Sequence, residues 1–506
     1  MGDIFEVRTK VLTMNIVLSI RGVMASVFCF LILVLGVLLP LRESLAYYDG
    51  IDLIAGEEAL KRGDFEEGIL IYTKAIEAGQ LPLGLELTAY SNRGGAYFVL
   101  GRYELAVSDF SRVISLDPKR PEVHFNRGSS YCAMGEYEKA INDFTQELSL
   151  APNDEEAYFG RGTCYLESGA HELAISDLSA AIRLKPDYVA AFLNRSGAFL
   201  FRGDYDRAIS DSTKALSLQA DNAEAYFNRG VAYINIHQKK KALEDLSAAL
   251  QINPDYEGAL NYRAGLWASF GKYDKAVADF NEILRLSPGN SKAYYNRGSV
   301  FAILGEYDRA VADYGEIIRA GSGDFEVFYN RGTAYFQKGE YEKAVADFTE
   351  AVRLKDDFTQ GYVGRGSSYF ILGEFKKSAD DFLNYLKYEP SSAYGIIWAH
   401  IANGMVGAGD SKELRRLAKN IDEKKWPAPL LALYLGELSA EQVRLVMRGV
   451  DKNLLECQAD FYIGEYKLLN DDRDEARILL KSAADKCAKD QVEQRAAVSE
   501  LARMGK

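Results

Sequence analysis

The sequence predicts an all-α fold, a right-handed solenoid of stacked helical hairpins. Nine arginines recur with a constant period, and nine aspartates follow them at an equally constant distance. Each period contains two amphipathic helical patterns, which is typical of arrays whose hairpins bury their apolar faces against their neighbours. The arginines are Arg93, Arg127, Arg161, Arg195, Arg229, Arg263, Arg297, Arg331 and Arg365, and the aspartates are Asp109, Asp143, Asp177, Asp211, Asp245, Asp279, Asp313, Asp347 and Asp381.

Small and aromatic residues keep the same register. In the repeat that contains Arg297, Gly298 follows the arginine, Phe301 stands four places after it, and Ala310 lies twelve places beyond the glycine. Small residues at both positions let two helices approach closely, and proline ends most of the second helices. In this register residues 87–392 resemble nine 34-residue repeats of the tetratricopeptide family, which usually has leucine where the arginines stand. The resemblance implies a concave groove that binds peptides or partner proteins.

The segments outside these repeats are also predicted to be helical. Residues 47–86 fit a degenerate N-terminal capping repeat, because Gly56, Gly68 and Ala75 keep the small-residue spacing. Residues 393–454 lose the period and are predicted to form an irregular helical segment. Residues 455–506 are predicted to form one more tetratricopeptide-like hairpin and a final helix that covers its exposed face, as the end of a solenoid requires.

The N-terminus has the features of a targeting segment. Arg8, Lys10 and Arg21 precede an uncharged run from Gly22 to Leu41, and small residues follow. This pattern predicts an export signal in residues 1–46, cleaved after Ala46. The apolar run is also long enough to remain as a membrane anchor. Both interpretations place residues 47–506 outside the cytoplasm, in the periplasm or cell envelope, because the basic flank stays inside.

The C-terminal part has a second resemblance. The run W-P-A-P-L-L-A-L-Y-L-G-E-L-S-A-E-Q (Trp426–Gln442), with Ala459–Leu469 and Val492–Gly505, resembles the end of NlpI-type bacterial envelope proteins. Those are tetratricopeptide lipoproteins that act as non-enzymatic adaptors between a periplasmic protease and peptidoglycan hydrolases. The resemblance implies an adaptor at the cell envelope. The repeat array is much longer here, and Phe28 before Cys29 does not fit a lipid-attachment site.

Arg297 and Asp313 lie among residues that should pack a core. A catalytic dyad would occur once, whereas nine copies at fixed spacing indicate a structural ladder. The arginine precedes the aspartate of its own repeat and follows that of the preceding repeat at nearly equal separations, so both pairings are open. A half-buried pair of this kind fixes the register of one helix against another.

An asparagine precedes the arginine in six repeats, and an aromatic residue often precedes that position. The resemblance to the tetratricopeptide family places these side chains on the groove, where amides bond a peptide backbone and rings form walls. A second interpretation is that the asparagine side chains belong to the repeat consensus and form their hydrogen bonds within the protein. The predicted groove residues are Asn92, Asn126, Asn194, Asn228, Asn296 and Asn330, with Phe125, Phe159, Phe227, Tyr295 and Tyr329.

Five cysteines occur, and none forms a C-x-x-C pair. Cys457 and Cys487 lie near the open ends of the two helices of the last predicted hairpin, and in an exported protein they could form a disulfide. Two separate thiols are the alternative. Cys132 and Cys164, on adjacent repeats, are predicted to be core thiols.

Several classes of function are disfavoured. The net charge is -13, whereas nucleic-acid-binding proteins need a positively charged surface, so nucleic-acid binding is disfavoured. No catalytic motif, phosphate loop or metal-ligand spacing occurs, so no cofactor and no enzymatic activity are expected. The sequence predicts a protein–protein interaction adaptor of the bacterial cell envelope that binds proteins or peptides along its groove. A membrane-anchored assembly scaffold for a secretion or polysaccharide-export machine is the alternative.

Overall fold

The computed structural model describes residues 53–79, 81–419, 421–422, 426–446 and 452–505. These residues form 27 helices in tandem and no strand, so the all-α prediction is confirmed. The predicted export signal or anchor in residues 1–46 lies outside the described residues. No helix formed by the described residues has both the length and the apolar character needed to cross a membrane.

The chain divides into two compact units, one ending at Leu266 and one beginning at Trp267. The helices up to this division are α1 Leu53–Arg62, α2 Phe65–Glu77, α3 Leu83–Val99, α4 Tyr103–Leu116, α5 Pro121–Ala133, α6 Tyr137–Leu150, α7 Glu155–Glu167, α8 His171–Leu184, α9 Val189–Arg202, α10 Tyr205–Leu218, α11 Ala223–Asn235, α12 Lys239–Ile252 and α13 Glu257–Ser269, which contains the division.

The later helices are α14 Tyr273–Leu286, α15 Ser291–Ile303, α16 Tyr307–Arg319, α17 Phe325–Lys338, α18 Tyr341–Leu354, α19 Thr359–Leu372, α20 Phe375–Tyr388, α21 Ala393–Met405, α22 Ser411–Ala418, α23 Ala428–Tyr434, α24 Ala440–Val446, α25 Lys452–Leu469, α26 Arg473–Lys486 and α27 Val492–Met504.

Turn and cap residues define the hairpins. Gly339 ends α17 with φ 81°, a left-handed conformation that glycine adopts without steric cost. Asp154 begins α7, because its side chain accepts hydrogen bonds from the backbone N–H groups of Glu156 and Ala157. Residues of these two kinds end one helix and begin the next, so that each repeat contains a first and a second helix.

The small residues of the repeat lie where the two helices of a hairpin cross. A Cβ atom on Gly128 would lie 3.2 Å from the Cβ of Asp143 and 3.3 Å from the carbonyl oxygen of Ala140. Ala140 itself is fully buried. A larger side chain at either position would force the helices apart, which costs packing energy in a close-packed core.

The arginine and the aspartate pair within one repeat. Arg297 donates from Nε to Oδ2 of Asp313 at 2.9 Å and from Nη2 to Oδ1 at 2.7 Å, which is a bidentate geometry. The same two hydrogen bonds join seven other pairs, Arg93–Asp109, Arg127–Asp143, Arg161–Asp177, Arg195–Asp211, Arg229–Asp245, Arg331–Asp347 and Arg365–Asp381. The aspartates are buried and the arginines half-buried.

A third hydrogen bond of the arginine reaches the preceding repeat. Nη1 of Arg297 donates to Oδ1 of Asn281 at 2.6 Å. Six other arginines donate to a hydroxyl group in the corresponding place, Thr73, Ser111, Thr145, Ser179, Thr213 and Thr349. Each of these arginines therefore connects the second helix of its own hairpin to the second helix of the one before.

The C-terminal helices fold back onto earlier repeats. α27 packs against α26 and also lies against the ends of α17 and α19. Trp398 of α21 stacks between Phe382 and Phe461, with ring centroids 5.5 and 5.4 Å apart. The last helices thus share one apolar core with the repeats from α17 onwards.

Both cysteine pairs are bonded. Cys457 and Cys487 form a disulfide between α25 and the end of α26, with their Cα atoms 5.2 Å apart. Cys132 and Cys164 form a second disulfide between α5 and α7, with Cα atoms 6.2 Å apart. The interpretation of Cys132 and Cys164 as core thiols is therefore wrong, because neighbouring first helices bring the two side chains together.

We expect replacement of Cys457 and Cys487 by serine to lower the free energy of unfolding of the C-terminal helices by about 3–4 kcal/mol, because the loop that the disulfide closes gains entropy in the unfolded chain. Thermal unfolding of the double variant and of the wild type, both without reductant so that the Cys132–Cys164 disulfide stays intact, measures the loss. Mass mapping under non-reducing conditions that finds both thiols alkylated would contradict this prediction.

Candidate functional site

The groove face is defined here as the surface formed by the first helix of each hairpin, which carries the predicted asparagines and aromatic residues. Asn194 and Asn228 are buried in it and are satisfied internally. Asn194 donates to Oγ1 of Thr163 at 2.9 Å, and Asn228, only 3% exposed, lies 3.5 Å from the carbonyl oxygen of Leu193. The prediction that these two line an open groove is wrong, because neighbouring first helices cover them.

Two further asparagines contact tyrosine hydroxyls. Asn92 donates to Oη of Tyr72 at 2.9 Å, and Asn330 donates to Oη of Tyr295 at 2.9 Å. Both amides are half-buried. Each hydrogen bond joins one repeat to the preceding repeat. Both amides are therefore hydrogen-bonded within the protein, which is the second of the two interpretations of the sequence.

Asn126 and Asn296 differ from the other four. Both are half-buried, and within the described part of the chain neither side-chain amide makes a hydrogen bond. A free amide can donate and accept at once, which matches the alternating groups of a peptide backbone. These two asparagines are therefore available to a ligand.

The aromatic residues predicted to form the walls of the groove also divide into covered and partly exposed ones. Phe159 and Phe227 are buried, and Phe227 is only 2% exposed. Tyr188 lies over Phe159 with ring centroids 4.9 Å apart, and Tyr256 lies over Phe227 at 4.8 Å. Both tyrosines occupy the same place in their repeats, where the loop enters the next hairpin, and we call this place the cover position. The prediction that Phe159 and Phe227 form open walls is therefore wrong.

Tyr329 is covered in a similar way. Phe358, which occupies the cover position of this repeat, contacts its ring at 5.1 Å, and burial raises the pKa of the Tyr329 hydroxyl. Tyr329 remains half-buried. An aromatic residue at the cover position thus predicts coverage, and this signal was present in the sequence.

Aspartates occupy the cover position in the repeats of Phe125 and Tyr295. They are Asp154 and Asp324, which begin the next helices as N-caps and do not place a ring over the groove face. Phe125 and Tyr295 are half-buried, so part of each ring remains exposed on the groove face.

These partly exposed rings are held by their own hairpins. Phe125 meets Phe144 edge-on with ring centroids 5.6 Å apart, and Tyr295 meets Tyr314 at 6.0 Å. Each ring stands next to one of the two free amides. The structure therefore brings a partly exposed ring and a free amide together twice. We call these pairs the two open sites, Phe125/Asn126 and Tyr295/Asn296.

Acidic groups lie close together near the end of α6. Glu147 of α6 is 2% exposed, and its Oε2 has no hydrogen-bond partner among the described residues. Burial raises the pKa of Glu147 to about 9, and the nearby charges of Asp154 and Glu122 add to this effect. Eight other repeats have valine, alanine, isoleucine or tyrosine at this position, so Glu147 is a local exception.

Metal ligation has no support in the described residues, where no group of three or more His, Cys, Asp or Glu side chains could hold an ion.

Family models described as "Tetratricopeptide repeat" match residues 88–120, 223–256 and 325–358 by one model and 125–189 and 268–325 by another. Together with the hairpin array these matches define the class: the chain is a tetratricopeptide-repeat protein. The tetratricopeptide fold is a scaffold for protein–protein interaction.

Solved structures with similar folds include a tetratricopeptide repeat protein from Parabacteroides merdae, which is 23% identical with a TM-score of 0.36, covering 49% of this chain and 98% of that one. The C-terminal part of a repeat protein from Cytophaga hutchinsonii is 20% identical with a TM-score of 0.40, covering 48% and 99%. YrrB, titled a TPR protein with an unusual peptide-binding site, is 24% identical with a TM-score of 0.33, covering 38% and 97%.

Proposed function

We propose that this chain is an exported, non-enzymatic adaptor that binds partner proteins or extended peptides at its two open sites. The observation that carries the proposal is the coincidence of a partly exposed ring with a free amide at Phe125/Asn126 and at Tyr295/Asn296. At the other predicted positions an internal partner occupies the amide or a ring covers the wall.

The chemistry of the open sites favours a peptide. The amides of Asn126 and Asn296 can pair with a backbone N–H and a backbone C=O, which fixes the direction of an extended segment. The exposed parts of the adjacent rings can pack against a side chain of that segment. Asp154 and Asp324 lie beside the sites and favour basic residues over acidic ones, in keeping with the net charge of -13.

The envelope location is proposed from the N-terminal segment and from the resemblance to NlpI-type proteins. Fusion of a phosphatase that is active only outside the cytoplasm to the C-terminus tests it. We expect activity from the fusion to the whole chain and none when residues 1–46 are removed. N-terminal sequencing then separates cleavage after Ala46 from a retained anchor. Absence of phosphatase activity from the fusion to the whole chain would contradict the location and leave the binding proposal intact.

We expect the substitution Asp154→Tyr to close the first open site, because it recreates the cover that Tyr188 provides for Phe159. With a photo-crosslinking residue at position 122, which is half-buried and one helical turn before Asn126, partner crosslinks from envelope extracts should fall at least about tenfold, as expected when a buried contact of about 1.4 kcal/mol or more is lost. Asp154→Asn is the matched control, since asparagine is an equally good N-cap and leaves Phe125 partly exposed.

The result is checked against a crosslinker at Ser149, an exposed position on the second helix α6. Crosslinks that appear equally at positions 122 and 149, or that survive Asp154→Tyr unchanged, would show that partners do not use this site.

A further inference from the structure

The chain's own last helix shows what kind of ligand the ends of the first helices accept. Arg495 of α27 donates to the carbonyl oxygens of Phe336 and Gln337, at 3.1 and 2.9 Å, where α17 ends. Its guanidinium also lies 5.4 Å from the centre of the Phe336 ring. A cation at the negative end of a helix dipole and over an aromatic ring is stabilised by both.

The next repeat receives the same kind of contact. Arg503 donates to the carbonyl oxygen of Ile371 at 3.0 Å, where α19 ends, and lies 5.0 Å from the centre of the Phe375 ring. Ser499, midway between the two arginines, donates to the same carbonyl at 2.7 Å. Eight residues of helix span about 12 Å, so one helix can place one arginine on each of two successive hairpins.

The contact explains a difference in burial within the second compact unit. Ile371, under α27, is 7% exposed, whereas Ile303 occupies the same position at the end of α15 and is 60% exposed. The end of α15 therefore leaves an apolar side chain exposed where no helix covers it.

The first compact unit repeats the aromatic pair of this contact at the end of α3. Phe98 and Tyr103 meet edge-on with centroids 5.4 Å apart, as Phe336 and Tyr341 do at 5.4 Å. The matching pair under Arg503, Phe370 and Phe375, lies at 5.1 Å.

The backbone carbonyl groups at the ends of α3 and α5 are also available to accept hydrogen bonds. Val99 and Ala133 correspond to Gln337 and Ile371, and their carbonyl oxygens accept no hydrogen bond within the described part of the chain. Arg102, the cation that follows α3, is paired with Glu66 and does not occupy them.

The end of α5 is held in place. Ala133 is partly exposed there, and Tyr137 follows it where Phe375 follows Ile371. The disulfide from Cys132 fixes α5 against α7 at this end, so the surface is preorganised.

We propose that the ends of α3 and α5 bind a helix of a partner protein that carries two arginines eight residues apart. The inference rests on the proposed function in that the partner is a protein, but it uses a different surface from the two open sites. The arginines donate to the carbonyl oxygens of Val99 and Ala133, and the first of them lies against the Phe98/Tyr103 pair.

The test uses the purified full chain and a labelled synthetic peptide with the sequence of residues 488–506, which has the arginine spacing that the structure shows. Fluorescence anisotropy should report saturable binding. Replacing both arginines of the peptide by glutamine should weaken it at least tenfold. Ala133→Arg in the full chain should weaken binding to a similar extent, whereas Leu150→Arg, an exposed substitution at the end of the second helix α6, should leave it unchanged.

Other outcomes overturn the proposal. Binding that Ala133→Arg leaves intact would mean that the peptide exchanges with the chain's own α27 on α17 and α19. Dimerisation in sedimentation velocity that the peptide dissolves would mean that a second copy is the occupant. Absence of saturable binding overturns the helix proposal alone, because crosslinking at position 122 tests the proposed function separately.

Discussion

Replacement of Arg297 by leucine is expected to destabilise the surrounding repeats by about 3–5 kcal/mol, because it leaves the Asp313 carboxylate buried without its cation. Asp313 is 4% exposed and receives two hydrogen bonds from Arg297. Those hydrogen bonds also raise the pKa of the arginine, whose charge is therefore retained at every accessible pH. Leucine is the residue that the family usually carries, so the helix itself tolerates it.

The double substitution Arg297→Leu/Asp313→Leu separates pairing from general disruption. It removes both charges, and replacing a whole buried pair by apolar residues is often neutral or stabilising. We therefore expect the double variant to be clearly more stable than the single one. Urea denaturation and hydrogen exchange in α15 and α16 measure the difference, since repeat arrays also open locally. Equal losses in both variants would refute the pairing interpretation.

The sequence predicted the hairpin array because its period depends on local and nearest-neighbour packing. The position of the ladder followed from spacing alone, but the choice between two partners depended on helix geometry. The third hydrogen bond was missed, although its signal is present as Ser, Thr or Asn two places after most of the aspartates. Gly315 breaks that pattern, and among the described residues Arg331 donates hydrogen bonds to Asp347 alone.

The groove residues were predicted less well for a different reason. Family position places a side chain on the first helix, but its exposure depends on which residue the following loop carries at the cover position. Tyr188 and Tyr256 cover their walls, whereas Asp154 and Asp324 cap a helix. Whether the cover position holds an aromatic residue or an aspartate can be read from the sequence, but its effect on exposure follows only from the structure.

The return of α27 to α17 and α19 could not be predicted in this way. Arg495 and Gln337 are far apart in the chain, and no periodic signal connects them. Contacts at such separations depend on the packing of the whole C-terminal core, including Trp398 and Phe461.

The substitution Glu147→Gln is expected to stabilise the protein by about 3 kcal/mol at pH 7, from the distance between that pH and the unfolded pKa of 4.5. The folded-state pKa of Glu147, about 9, lies above its unfolded value, so the folded chain holds a proton that the unfolded chain releases. The contribution of this group to stability is therefore fully present below pH 4.5 and is lost as the pH rises toward 9. Glutamine is neutral at every pH and keeps the shape of the side chain.

Urea denaturation between pH 4 and pH 9, with hydrogen exchange in α6, should show wild type and variant converging at low pH and separating steadily as the pH rises. Glu138→Gln is the matched control, because Glu138 is exposed on the same helix and should leave the pH profile unchanged. Glu147→Ala should behave like Glu147→Gln at high pH, since buried alanines occupy this position in other repeats, as at Ala181 and Ala215. A constant difference between wild type and Glu147→Gln across this pH range would show that the burial of the carboxyl group does not control its ionisation.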